Sequence, residues 1–417
     1  MQHTIDPGST AWLLASATLV MIMTPALGFF YGGLVRRKNV LSTIMHSFFV
    51  LCLISVQWVL WGYSLAFGPD VHGWGIIGSL AWVGFNTVGM APNADYGAHV
   101  PQLAFAAFQM MFAVITPALI TGAFAERKRF KAFVIFTLLW ATFVYDPVAH
   151  WVWGHGGWLG SKLGTLDFAG GTVVEIASGV SALVAAMVLG RRIELQRGEA
   201  HPEDPYDATM TILGASLLWF GWFGFNAGGA ITSGGLAANA FVVTNTAGAM
   251  AGLTWMTLSW MHKGNPSVVG ATVGAIAGLV AITPAAGYVT TPAAVLIGLG
   301  AGIACYLCVH LMKRSGVDDA LDVFAIHGIG GVWGMLATGL FATVAVNAAA
   351  ANGLVYGNPR LMVIQAIAVA ATCLYCAMMT FVVLKVTNLF VPLRVSEQEE
   401  ALGLDATQHR EGMPGVL

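Results

Sequence analysis

Glu175 is a carboxylate with no charged neighbour in sequence, set in an apolar run that ends at Arg191 and Arg192. The run opens at Asp167 as DFAGGTVVEIASGV and is long enough to cross a bilayer, which takes about 20 residues. His327 sits in a matching context: it follows Asp319 in DALDVFAIHGIGG by eight residues, the interval that also separates Asp167 from Glu175. An ionisable side chain deep in hydrocarbon is costly and marks a functional site by default. A carboxylate beside an imidazole at that depth can pass a proton or favour a cation. Gluing two helices together is the bland alternative. Interhelical polar contacts average only about 0.6 kcal/mol, against roughly 2.5–3.5 kcal/mol to place a central carboxylate, so glue alone is a poor reason to keep them.

Depth brings the two residues together. The fifth apolar run (helix 5, about 167–190) enters from outside near Asp167 and the tenth (helix 10, about 319–344) from inside near Asp319. Eight residues at about 1.5 Å each put either side chain roughly 12 Å deep. In a core about 30 Å thick, both then lie within roughly 3 Å of the midplane, from opposite sides. Of the 11 histidines, His327 alone is placed near mid-bilayer; the others fall in loops, the tail or near helix ends. Asp167 reads as the N-cap of helix 5, accepting from the N2 or N3 amide. Asp319 and Asp322 read as cap and surface residues at the start of helix 10.

The elements that carry these residues are membrane spans. The 417 residues are 57% hydrophobic and 9% charged, where a soluble domain has roughly 25% charged. Apolar runs fall near 10–34, 41–67, 101–125, 130–150, 167–190, 208–231, 236–262, 267–287, 291–312, 319–344 and 360–390, an all-α polytopic membrane protein of eleven helices. The 51 glycines suit closely packed membrane helices. Alternate connections hold the basic residues: Arg36 to Lys38, Arg127 to Lys131, Arg191 to Arg197, Lys263, Lys313 and Arg314, then the tail. The others hold only Lys162 and Arg360, which puts the N-terminus outside and the C-terminus in the cytoplasm. The opening MQHTIDPGST lacks a positive n-region and a cleavage site, so the first helix is expected to be kept. One membrane domain is expected over 1–390, with a polar tail over 391–417.

Helices 1 and 6 share GFFYGG (from Gly28) and GFNAGG (from Gly224); helices 3 and 8 share ITPA (from Ile115 and Ile282); helices 5 and 10 share the spaced Asp pairs. The offset of five is odd, so helices 1–5 (about 10–190) and 6–10 (about 208–344) form an inverted repeat, with helix 11 added at 360–390. Such repeats place the substrate path at their interface near the midplane.

Other classes fit poorly. A net charge of −2 with no basic arm gives no footing for nucleic acid. There is no HExxH, GxSxG or Walker loop and no second carboxylate beside Glu175, which argues against an enzyme. The CxxC pairs Cys305/Cys308 and Cys373/Cys376 lie inside apolar helices and read as packing residues, so no metal or cofactor is expected.

The motifs DFAGGTVV from Asp167, GWFGFNAG from Gly221, DDALDVFAIHGIGG from Asp318, FYGGLVRRKNVLS from Phe30 and the tail's Gly403–Asp405 resemble the ammonium transporter, methylammonium permease and Rhesus family from about Thr10 to Glu411. The resemblance implies a homotrimer in the cell membrane with a narrow apolar pore in each subunit, conducting ammonium or ammonia. It implies an outer recruitment site of Phe108, Trp153 and a serine, where Gly229 stands here; a phenyl gate of Phe112 and Phe225; and Trp222 and Asp167 as structural residues near the pore. Below the gate the family usually has two histidines. His327 matches the second, and Glu175 takes the place of the first, a substitution found in some members, notably fungal ones. Family tails bind trimeric nitrogen-regulatory proteins of the PII type, though Arg410 stands where relatives often have Gly. A sensor that binds ammonium but moves little is the alternative to a carrier.

Overall fold

The computed structural model describes residues 4–198 and 205–411; the last six residues of the expected tail lie outside them. Ten helices among the described residues have the length and apolar character to cross a membrane. In chain order they are α1 (Pro7–Leu34), α2 (Arg37–Phe67), α3 (Gln102–Phe124), α4 (Phe130–Leu163), α5 (Gly171–Leu189), α6 (Ala208–Gly228), α7 (Gly235–Lys263) and, after the shorter apolar α8 (Val268–Ile282), α9 (Thr291–Ser315), α10 (Phe324–Phe341) and α11 (Pro359–Phe390). The run expected over 267–287 is thus helical for only 15 residues. Pro284 has no N–H to donate, and the chain continues beyond α8 in successive turns closed by Ala285 N to Ile282 O and Tyr288 N to Ala285 O. Its sequence counterpart Pro117 stays inside α3. A short antiparallel ladder, Pro92–Asn93 with Gly97–Pro101, caps one face and was not legible in the helical pattern.

Helices α1 and α6 run antiparallel. Asp207 N donates to Gly33 O at 3.0 Å at one end, and Trp12 Nε1 donates to Ala227 O at 3.2 Å at the other. Small residues allow that approach: a Cβ on Gly214 would stand 2.3 Å from the Phe30 amide nitrogen.

Helices α5 and α10 are shorter than the expected 167–190 and 319–344. Both begin after a turn and open with a wide π turn, at Gly171–Ile176 and Phe324–Gly328. They cross antiparallel in near van der Waals contact of their backbones. A Cβ on Gly179 would lie 2.1 Å from Gly328 N, and one on Gly331 would lie 2.8 Å from Glu175 Cβ.

On the arginine-rich face, a buried ion network joins the connections. Arg192 reaches Glu126 (Nη1 to Oε2, 3.0 Å) and Asp318 (Nη2 to Oδ1, 2.8 Å), and Arg36 Nε reaches Glu126 Oε1 at 2.9 Å. The tail lies on this same face. Its helix α12 (Glu397–Leu402) carries a capping box at Ser396, and beyond it Asp405 accepts from Leu41 N and Ser42 N at the start of α2. Arg410 has φ 58°, the left-handed region that favours glycine.

Gly179→Val should lower stability by roughly 1–3 kcal/mol or more, because overpacked backbone has nowhere to go. Gly235→Ala, where nothing lies within 4 Å, should stay within about 0.5 kcal/mol. Thermal unfolding in detergent checks both; equal midpoints for the two variants would refute the close crossing.

Candidate functional site: a gated apolar pore with a buried carboxylate–imidazole pair

Each functional side chain sits on a helix that contributes one wall. On the face opposite the arginines, a chamber of about 270 Å³ is lined by Phe108, Gln109 and Phe112 of α3, Trp153 of α4, and Gly229 at the end of α6. Trp153 is oriented by its Nε1, which donates to Asp167 O at 2.9 Å. A Cβ on Gly229 would meet Phe168 O at 3.1 Å, so the position is tight as well as lacking a hydroxyl.

Phe112 and Phe225 close the chamber. Their ring centroids are 4.3 Å apart with planes 40° from parallel, and both side chains are buried. Beneath them is a cavity of about 10 Å³, no more than one small molecule can fill, walled by Ile115, Leu119, Trp222, Phe225, Glu175 and His327. Trp222 is fixed by its Nε1–H to Thr283 Oγ1 at 2.9 Å.

At the bottom of this cavity Glu175 and His327 meet, with Oε2 and Nδ1 2.7 Å apart. With the carboxylate ionised Nδ1 must donate, and in a neutral imidazole Nε2 is then the acceptor. Glu175 is fully buried, and its Oε1 has no partner among the described residues. His327 also lines a chamber of about 960 Å³ on the arginine-rich face, shared with Asp319, Asp322 and Lys313. His327 therefore stands between a small, largely apolar cavity and a wide polar one.

Helices α5 and α10 start later than expected. Neither helix starts at its Asp. Gly170, at φ 117°, holds the N-cap position of α5 instead of Asp167. Asp167 still satisfies that helix end from three residues back: Oδ1 accepts from Gly170 N and Gly171 N, and Oδ2 from Thr172 N and the Thr172 hydroxyl. Val323 likewise holds the N-cap position of α10 instead of Asp319, which accepts from Phe324 N at 2.7 Å from outside the helix and, at only 8% exposed, is not a surface residue.

Three buried polar groups escaped the sequence reading. Gln109 lines the upper chamber with Oε1 unpartnered among the described residues. Asp146, within α4, accepts from Gln57 Nε2 at 2.8 Å and lines none of the three cavities. A lone Asp in the apolar run was the available signal. Lys128, fully buried, rests its Nζ 3.6 and 3.9 Å from the ring centroids of Phe136 and Phe124. Nothing in its loop sequence marks it as buried.

Comparison with known proteins agrees with this geometry. A family model described as Ammonium Transporter Family matches residues 11–413. An ammonium transporter of Bacillus subtilis is 53% identical over 97% of this chain and 98% of its own length. Ammonium transporter Amt1 of Archaeoglobus fulgidus is 48% identical over 98% and 99%. The crystal structure of Mep2 from Saccharomyces cerevisiae superposes with a TM-score of 0.90 at 38% identity, covering 97% of this chain and 91% of that one.

Removing the Asp167 carboxylate strips acceptors from three buried amides at once. Asp167→Ala should cost on the order of 3 kcal/mol, and Asp167→Asn less, since one oxygen remains. Thermal unfolding and hydrogen exchange at Gly170–Thr172 read this out. Unchanged protection in the alanine variant would contradict the capping role.

Proposed function

Because the chain belongs to the ammonium transporter family, we propose that its pore works by parting a proton from ammonium and relaying it through Glu175 and His327. The protein is an ammonium transporter, a multi-pass membrane protein and not an enzyme. The observation that carries the relay is the 2.7 Å contact between two buried titratable groups at the junction of a small apolar cavity and a wide polar one.

The physical argument is one of charge in an apolar conduit. Moving a bare cation into a low-dielectric interior costs on the order of 20 kcal/mol by an idealised Born estimate. The faces of Phe108 and Trp153 return about 0.5–2 kcal/mol each to an ammonium ion in the upper chamber. Aromatic contact recruits the ion but does not take it through the closed Phe112–Phe225 pair. Ammonia, uncharged, crosses the apolar cavity beside Trp222. The proton moves on the linked carboxylate and imidazole, and the two groups titrate as one unit. Ammonium re-forms in the chamber of about 960 Å³.

The upper chamber faces outward in this reading, and the arginine-rich face with the tail is cytoplasmic, as the loop charges favour. The membrane is the cell membrane, three subunits assemble with one pore each, and residues 1–390 act as one transport domain with 391–417 as a cytoplasmic tail. A PII-type regulator binds this cytoplasmic face. Arg410, at its left-handed φ, alters the surface such a partner would meet. A sensor with little flux is not favoured, since the relatives above are transporters.

His327→Ala and Glu175→Gln should each reduce ammonium-evoked current in proteoliposomes at least about tenfold. Full current in His327→Ala would remove the relay. Glu175→His takes a potential negative charge from the pore; it should shift the pH profile of the current and lower potassium leak relative to the natural protein. Identical profiles and selectivity would count against a role for that charge. Gly229→Ser should tighten outer ammonium binding, seen as a lower half-saturating concentration.

A further inference from the structure

The two halves of the chain place Asp167 and Asp319 alike, each eight residues ahead of a member of the buried pair. Their surroundings differ. Asp167 engages both oxygens with four donors. Asp319 accepts from Phe324 N through Oδ2 and is also held by the Val323 amide, while its Oδ1 is buried and has no partner among the described residues. Asp319 is more than nine-tenths buried, and it lines the wide chamber together with Asp322 and His327.

The two nearest arginines are committed elsewhere, while Arg191, Lys263 and Lys313 also line the chamber. Arg127 Nη2 donates to Asp318 O at 2.6 Å, and Arg192 chelates the Asp318 carboxylate through Nε and Nη2 at 3.0 and 2.8 Å. Asp318 is thereby neutralised. Asp319 faces Arg127 and Asp318 at longer range, and Asp322 faces Lys313 of α9, Arg192, Asp318 and Asp319. Cys308 of α9 lies within the field of both carboxyls. Among the described residues neither Asp319 nor Asp322 makes an ion pair within 4 Å.

We propose that Asp319 and Asp322 form an inner binding site for a small monovalent cation, ammonium in the working transporter, just beyond His327 in the cytoplasmic chamber. It rests on the transport reading above and does not need the relay to be correct. The site supplies what an ammonium ion lacks at that point: a carboxylate oxygen with no partner among the described residues, for a charge-assisted hydrogen bond, and a second acidic group beside it before hydration is regained. The inverted partner cannot do this, because its acceptor capacity is exhausted on its own helix end.

Burial pushes the Asp319 carboxyl up to about 6 and that of Asp322 up to about 7, the latter with help from Asp319. Lowering the chamber pH through that range protonates both groups and removes the charge. Cation binding at the inner site therefore weakens as cytoplasmic pH falls from above 7 to below 6.

The test uses the full chain in oriented proteoliposomes on a solid-supported membrane, with ammonium jumps applied from either side. In Asp319→Asn/Asp322→Asn, the half-saturating ammonium for cytoplasmic jumps should rise about tenfold, and that for outer jumps should move less than twofold. An equal shift on both sides, or none, overturns the site. Plateau current lost with cytoplasmic half-saturation unchanged also overturns it and assigns the carboxylates to proton movement instead. A failed relay is read separately, as plateau loss in His327→Ala. Thallium(I) soaked into crystals of the natural protein gives a readout independent of flux. An anomalous peak beside Asp319 Oδ1 that disappears in Asp319→Asn supports the site, and no peak at saturating thallium overturns it.

Discussion

The backbone contact between α5 and α10 is the constraint on which the pore depends. Two helices of an apolar protein can bring a carboxylate and an imidazole within 2.7 Å only if little else stands between their axes. Gly179 and Gly331 leave that space empty; a methyl group at either would collide with the opposite helix. Without a hydrophobic drive between helices in lipid, such close packing is itself a main source of association. The hydrogen bond is thus a consequence of the crossing rather than its cause, which fits the small measured worth of such contacts.

The same crossing sets the polarity of the path. Because both helices start late, after turns held by Asp167 and Asp319, their first residues lie inside the protein rather than at its faces. Unwound backbone at that depth is tolerated where protein satisfies it or a cavity adjoins it. On the α5 side satisfaction is complete. On the α10 side a chamber adjoins, and the turn is left with spare acceptor capacity. Two copies of one motif have been put to different uses by their surroundings.

Between the chambers, the chemistry follows from volume and charge. The cavity beneath the phenyl rings holds little beyond one small uncharged molecule, and its walls are apolar except at the buried pair. A path that excludes the hydrated ion but keeps two linked titratable groups suits separate movement of ammonia and proton. The family to which the chain belongs supplies the substrate; the geometry supplies a reason why passage and charge can part company.

Much of this was legible in the linear chain. Composition and the lengths of apolar runs determined a polytopic helical protein, since bilayer thickness sets helix length whatever the packing. The eight-residue spacing from Asp to Glu175 and from Asp to His327 singled out the pair, because ionisable groups in apolar runs are expensive. Other features belonged to tertiary structure alone. Whether Asp319 is surface or buried depends on α9 and the α3–α4 connection closing over it. Lys128 looks like any loop lysine until Phe124 and Phe136 enclose it. Local sequence specifies what a segment can cross and what it is costly to bury, whereas the partners that complete the buried polar groups, such as His327 for Glu175 and Gln57 for Asp146, come from residues far away in the chain.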